Sequence, residues 1–317
     1  MKTRAARSGP PRLGVLCAVF NKERLLLSLR RELDLWTLPS GQLEFGETPA
    51  AAAARSTLEE TAISAAVVEP IGLYYYPASN RLSLLYGARA LHANSKPRSL
   101  QARLNRFFPL DQLPLTLMGQ IVQDAIAWRA GKRPALTIVQ AGQAELPRLR
   151  WRFNRGGPFN PLFDQPEPRF PTFEVWTAAV VWNTTTRRVL TLRRDIGIAD
   201  LRALPRLACR GTSAPWEALS ELLRERCGLS VTLGWAGLWQ DASRGRFELV
   251  FGATIASGDL FRAGEWSSPR NAMLSDHDRL LVSQVKPAFM NEPVWTLDRE
   301  DRVLRPGSTI TAPDRRK

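Results

Sequence analysis

The chain has 317 residues, 44% of them hydrophobic and 23% charged, with 44 Lys and Arg against 30 Asp and Glu for a formal net charge of +14. That length suits about two domains of roughly 150 residues, the apolar content excludes wholesale disorder, and no apolar run approaches the roughly 20 residues of a membrane span. Three scattered cysteines (Cys17, Cys209 and Cys227) make neither a disulfide framework nor a zinc site and fit a reducing, cytoplasmic compartment, while the positive balance favours anionic partners such as nucleotides or nucleic acid.

Residues 1–11 read as a basic N-terminal arm, and the apolar stretch 13–20 behind it lacks the small-residue cleavage site of a signal peptide. Strands are predicted at 15–20 and 25–29, joined by a polar turn into a hairpin. A helix is predicted over 49–62, with Thr48 and Pro49 as its start signal. Strands at 66–76 and 82–90 and a helix near 117–130 complete a first domain, 12–140. Residues 141–171 hold six prolines and the pair Gly156-Gly157 and read as a linker. Within it, Arg148-Leu149-Arg150-Trp151-Arg152-Phe153 alternates as a strand does. That segment is read as an edge strand guarded by its charges, with a phosphate-facing ribbon as the alternative.

The second domain, 172–317, repeats the first. Val19-Phe20-Asn21 recurs as Val181-Trp182-Asn183, Leu38-Pro39 as Leu204-Pro205, Gly72-Leu73-Tyr74 as Gly237-Leu238-Trp239, and Leu84-Leu85-Tyr86-Gly87 as Leu249-Val250-Phe251-Gly252. The offsets stay between 162 and 166, a whole domain length and far longer than a solenoid period. Strands follow at 178–182, 189–192, 231–239 and 247–255, with helices at 215–227 and 276–285. Strands on both sides of a helix, then a terminal helix, imply an α/β fold with a mixed sheet between helices, present twice.

The stretch that carries chemistry runs from Trp36 to Glu47 and on through Arg55, Glu59 and Glu60. Gly41 and Gly46 permit a tight loop. Helical spacing stacks Arg55 over Glu59 and Ser56 over Glu60, leaving Glu60 and Glu47 as hard oxygen ligands suited to Mg²⁺ or Mn²⁺ beside a diphosphate. Between Pro70 and Ala144 nine basic residues face only Asp111 and Asp124, so positive charge gathers behind this loop, as a polyphosphate surface or as a nucleic-acid track. Tyr74-Tyr75-Tyr76 reads as strand packed into the core. His92 is isolated, and Asp276-His277-Asp278 reads as the first turn of a helix.

This pattern resembles the Nudix box, Gly, five residues, Glu, seven residues, then Arg-Glu-apolar-any-Glu-Glu-any-Gly-apolar. Gly41, Glu47, Arg55, Glu59, Glu60 and Ile63 fall in its places, within a box spanning 41–63. The resemblance implies two tandem Nudix-like α/β/α sandwich domains. It implies a metal-dependent hydrolase cleaving the diphosphate linkage of a nucleoside diphosphate derivative, with Mg²⁺ or Mn²⁺ as cofactor and no membrane partner. By resemblance the catalytic residues are Glu59, Glu60 and Arg55. The metal ligands are Glu60, Glu59 and Glu47, and the substrate-binding residues Gly41, Glu44, Arg30 and Arg31. Glu59, oriented by Arg55, would position water or act as base.

The departures point to weak or atypical turnover. Ser56 replaces the first Glu of the Arg-Glu step, Ala62 the helix-ending Gly, and Ser40 one of the paired glycines before the box. In the second domain the remnant, 207–229, keeps only Glu225, Gly228 and Leu229, which implies a non-catalytic partner. The alternative is a catalytically inactive protein of the same fold that binds nucleotide or RNA in a regulatory or scaffolding role.

Overall fold

The computed structural model describes residues 9–30, 35–92, 102–116, 118–132, 136–139, 171–194, 201–211, 213–261, 263–270, 273–289, 292–300 and 302–304. They fall into two compact units, one within residues 12–172 and the other within 173–306 together with 9–11. The linker segment that holds 148–153 lies outside the described residues, as does Arg31.

In the first unit the strands are β1 (Arg12–Asn21), β2 (Arg24–Arg30), β3 (Trp36–Thr37), β4 (Ser40–Gln42), β5 (Ala65–Tyr76), β6 (Arg81–Ala90), β7 (Ala102–Pro109) and β8 (Thr137–Ile138), with helices α1 (Pro49–Thr61) and α2 (Gly119–Arg129). The sheet runs β3-β2-β1-β6-β5-β8, with β4 added to β1 and β7 to β2. It is mixed: β1 lies parallel to β6 and antiparallel to β2 and β4. On β1, Leu16, Ala18 and Phe20 join a core with Leu25, Leu27 and the α2 residues Ile121, Val122 and Ala125. Cys17, between them on the strand, meets Thr57 of α1. The alternation of a strand thus sends one face to each helix.

The sequence of α1 dictates both of its ends. Thr48 caps it, its hydroxyl accepting from the Ala51 N–H at 3.2 Å, and Pro49 occupies the first turn. Alanines 50–54 let the helix lie close on β1, β4 and β5. It ends at Ala62, whose φ of 57° is left-handed, a conformation that costs a residue with a Cβ about 1–2 kcal/mol.

The second unit repeats the plan. Its strands are β9 (Glu174–Asn183), β10 (Arg188–Arg194), β11 (Leu201–Ala203), β12 (Arg206–Ala208), β13 (Ser230–Asp241), β14 (Arg246–Ser257), β15 (Gly264–Ser267), β16 (Trp295–Asp298) and β17 (Val303–Leu304), with helices α3 (Pro215–Cys227) and α4 (Asp276–Gln284). Its order, β11-β10-β9-β14-β13-β16-β17 with β12 on β9 and β15 on β10, matches the first sheet strand for strand and adds β17 at the edge. Ala178, Val180, Val250, Leu281 and Val282 form its core. The N-cap of α3 is Ala214, which makes no side-chain cap bond. Glu221 pairs with Arg224 on the exposed face of α3. All three cysteines are free and buried. No described helix is long and apolar enough to cross a membrane.

Candidate functional site in the first unit

The loop from β4 to α1 and the last two turns of α1 meet around two arginines. Arg55, 8% exposed, is clamped by carboxylates. Its Nε donates to Glu47 Oε1 at 2.7 Å and its Nη2 to Glu47 Oε2 at 2.8 Å, a bidentate pair. Nη2 also donates to the Gln42 carbonyl at 3.0 Å, and Nη1 to Glu59 Oε2 at 3.1 Å, the pair expected from helical spacing. Glu44 Oε1 stands 3.3 Å from the same Nη1, though Glu44 itself is largely exposed. The hydrogen bonds to Glu47, followed by the charges of Glu47, Glu44 and Glu59, outweigh burial and hold the guanidinium pKa above its ordinary value. The Glu44 N–H closes the loop by donating to Glu47 Oε2 at 3.2 Å.

Glu60 belongs to a separate arrangement. Its side chain is 4% exposed. Oε2 accepts from the Ser40 N–H at 3.2 Å, and Oε1 lies 3.1 Å from Arg30 Nη2. That same Nη2 donates to Ser40 Oγ at 2.6 Å. Burial pushes the Glu60 carboxyl up, and Arg30 and the Ser40 N–H pull it back. Asn105 of β7 donates to the Glu60 carbonyl at 2.9 Å, fastening the end of α1 to a strand 45 residues away.

Gly41 and Ser56 touch. A Cβ on Gly41 would fall 2.6 Å from Ser56 Cβ, so the loop lies directly on the helix at this point. Ser56, 4% exposed, donates its hydroxyl back to the Ala52 carbonyl. A neutral side chain fills the space under the loop where the box pattern has a carboxylate.

The structure therefore gathers Glu44, Glu47, Arg55 and Glu59 into one network and Arg30 with Glu60 into another, while Gly41 rests on Ser56 outside both. Sequence reasoning missed Asn105 and the part taken by the Gln42 carbonyl. Asn105 carried no signal, since it stands between Leu104 and Arg106 in a stretch without alternation. The Asp residues of the 70–144 segment lie elsewhere; Asp124 accepts from the Tyr74 hydroxyl at 2.6 Å.

The donor chemistry for a divalent cation is hard oxygen, from Glu60 and from the half-exposed Glu59. Among the described residues no group of three or more His, Cys, Asp or Glu is arranged to hold a metal. Mg²⁺, however, is commonly held by one or two carboxylates together with substrate phosphates. The buried Glu60 carboxylate is already paired with a cationic guanidinium at 3.1 Å. This donor set fits a metal shared with a phosphate ligand and does not fit an all-protein cage.

Residues 10–128 match the family model described as NUDIX domain. A protein of Bacillus subtilis (strain 168) named "Putative 8-oxo-dGTP diphosphatase" is 40% identical over 65 residues, which is 20% of this chain. The chain spans only 44% of the length of that relative. Among solved structures, a NUDIX hydrolase from Nitrosomonas europaea is 24% identical with a TM-score of 0.39, over 42% of this chain and 80% of that one. An ADP-ribose pyrophosphatase from Streptococcus suis 89-1591 is 21% identical with a TM-score of 0.34, over 40% and 97%. The match to the NUDIX domain model thus falls on most of the first unit and on none of residues 173–306.

Proposed function

We propose that the first unit hydrolyses a diphosphate linkage in a nucleoside diphosphate derivative, with a divalent metal shared between protein and substrate. The observation that carries this reading is the Arg55 clamp, which fixes Glu59 and the 40–47 loop beside the buried carboxylate of Glu60. Glu60 and Glu59 are the residues that would hold Mg²⁺ or Mn²⁺. Such an ion supplies Lewis-acid polarisation of phosphate oxygens and makes water more acidic.

The remaining chemistry belongs to the chain. Arg55 holds Glu59 through one oxygen, and Glu59, half exposed, accepts a proton from attacking water. Glu47 is spent on Arg55 and keeps the loop in place. Arg30, the cation at Glu60, would turn to the anionic diphosphate if a divalent cation carried in with the substrate took its place at that carboxylate. Gly41, with no side chain to hold it off Ser56, keeps the 40–47 loop seated on α1. The 8-oxo-dGTP named for the Bacillus subtilis relative belongs to the same substrate class.

Turnover of nucleoside triphosphates, dinucleotides and nucleotide sugars with Mg²⁺ or Mn²⁺ tests this. Activity on at least one is expected, lost by roughly 100-fold or more in Glu60→Gln. Turnover that survives Glu60→Gln unchanged overturns the assignment. One observation favours a second reading, nucleotide binding without hydrolysis: Arg30 already neutralises Glu60, and Ser56 removes a carboxylate. Saturable, salt-sensitive binding of a nucleotide or single-stranded RNA with no turnover under any metal would support it.

A further inference from the structure

At the end of the first sheet away from the 40–47 loop, β1, β5, β6 and α2 converge on a cavity of about 610 Å³. Ser40 pairs with Leu16 on β1, and the cavity begins at Phe20 and Asn21 of the same strand. At the rise of a β-strand that is about 13–16 Å further on. Neither Arg30, Arg55 nor the glutamates of the first site line it.

One wall is Trp128, and three contacts fix its ring. Gly87 lies beneath it, where a Cβ would fall 2.3 Å from the indole. Phe20 stands against it with ring centroids 5.9 Å apart. The indole N–H donates to Glu69 Oε1 at 2.6 Å. A bulge in β5 makes that bond possible: Glu69 comes opposite Gly87 in register, and Val68 is left over to line the cavity. With Ala88 and Ala90 these side chains make the lining apolar. Lys22 and Arg89, both exposed, stand at its rim. Neither has a carboxylate partner among the described residues. The nearby acids are engaged already, Glu69 by Trp128 and Glu23 by Arg129. The repeat places Thr254 where the first unit has Arg89, so this rim charge belongs to the first unit alone.

We propose that this cavity binds an aromatic carboxylate, a small organic anion with a flat apolar body, independently of the site at Glu60. Its volume falls within the range of small-molecule pockets. The indole and phenyl rings offer a contact surface held in place before the ligand arrives, so little ordering entropy is lost on binding. Two unpartnered cations over an apolar lining match one carboxylate on an apolar body. Inorganic phosphate is disfavoured, because Phe20, Val68, Ala88, Ala90 and the engaged indole give its remaining oxygens no donors. A cationic aromatic is disfavoured by charge, since Lys22, Arg89 and Arg129 line the cavity.

The test titrates the full chain with naphthoate by calorimetry, with naphthamide, naphthylmethylammonium and inorganic phosphate as its neutral, cationic and ring-free counterparts. The indole N–H spectrum locates the ligand: the chain has 10 tryptophans, and the signal that vanishes in Trp128→Phe is that of Trp128. Saturable naphthoate binding that shifts this signal is expected, about tenfold or more tighter than binding of any counterpart, and weakened about fivefold or more in Lys22→Ala and in Arg89→Ala. Both side chains are exposed, and thermal melts confirm that the variants fold. Inorganic pyrophosphate with Mg²⁺ should not compete, which separates this cavity from the hydrolytic site and leaves that reading to its own assay. The proposal is overturned by no saturable binding at millimolar concentration, by an unshifted Trp128 signal, by any counterpart binding as tightly as naphthoate, by unchanged affinity in both folded variants, or by competition from pyrophosphate.

Discussion

Ser56 decides how the first site differs from the pattern it otherwise follows. It is buried, it is bonded to its own helix through Ala52, and Gly41 rests on it. A carboxylate introduced there must leave water and displace the loop, at a cost of roughly 1–3 kcal/mol. It would also add an oxygen donor one helical turn before Glu60. Ser56→Glu is therefore expected to lower the melting temperature while tightening Mn²⁺ binding, measured by thermal unfolding and by EPR titration of the free ion. A destabilised variant with Mn²⁺ affinity no better than the parent would mean that the space beneath Gly41 does not open on the metal-binding side.

At the scale of elements, one helix end and one strand end offer two clear tests. Ala62 holds a left-handed conformation that glycine adopts freely. Ala62→Gly should stabilise the first unit by about 1 kcal/mol, read from denaturant midpoints. In the second unit Asp241 ends β13, accepting from Ser243 Oγ at 2.6 Å and from the Arg244 N–H at 3.2 Å. The bond from Ser243, then that from Arg244 and nearby arginine charge, hold its carboxyl below the ordinary value. A lowered folded-state pKa contributes stability above the ordinary carboxylate range and loses it as pH falls through the lowered value. Asp241→Ala should cost about 1 kcal/mol near neutrality, and the gap between variant and parent should close as pH drops below the carboxylate range, followed by urea unfolding across pH.

These elements also mark how far the sequence could be read. The repeat, α1 and the Arg55 to Glu59 pair were legible, because each rests on fixed spacing along one stretch of chain. The short strands β3, β4, β11 and β12 were not, since two or three residues carry no period and exist through backbone bonds to β1, β2, β9 and β10. Arg30 to Glu60, Asn105 to Glu60 and His277 to Glu248 were equally hidden. Each joins residues 29 to 45 positions apart, and only strand register brings them together.

For the whole molecule, two sheets share one strand order and differ in the side chains they carry. The first holds a charged loop against α1, while the second gathers Arg206, Glu248 and Asp278 near the start of α4. The buried thiols give each unit its own clock. Burial raises Cys17 and Cys209 to about 12 and Cys227 to about 11, so the native chain presents scarcely any thiolate to an alkylating reagent. Labelling must wait for opening. Timed alkylation read by peptide mass would report the first unit through Cys17 and the second through Cys209 and Cys227, with all three modified at once in denaturant. Rates that differ between Cys17 and the other pair would time the two openings separately, without any added probe.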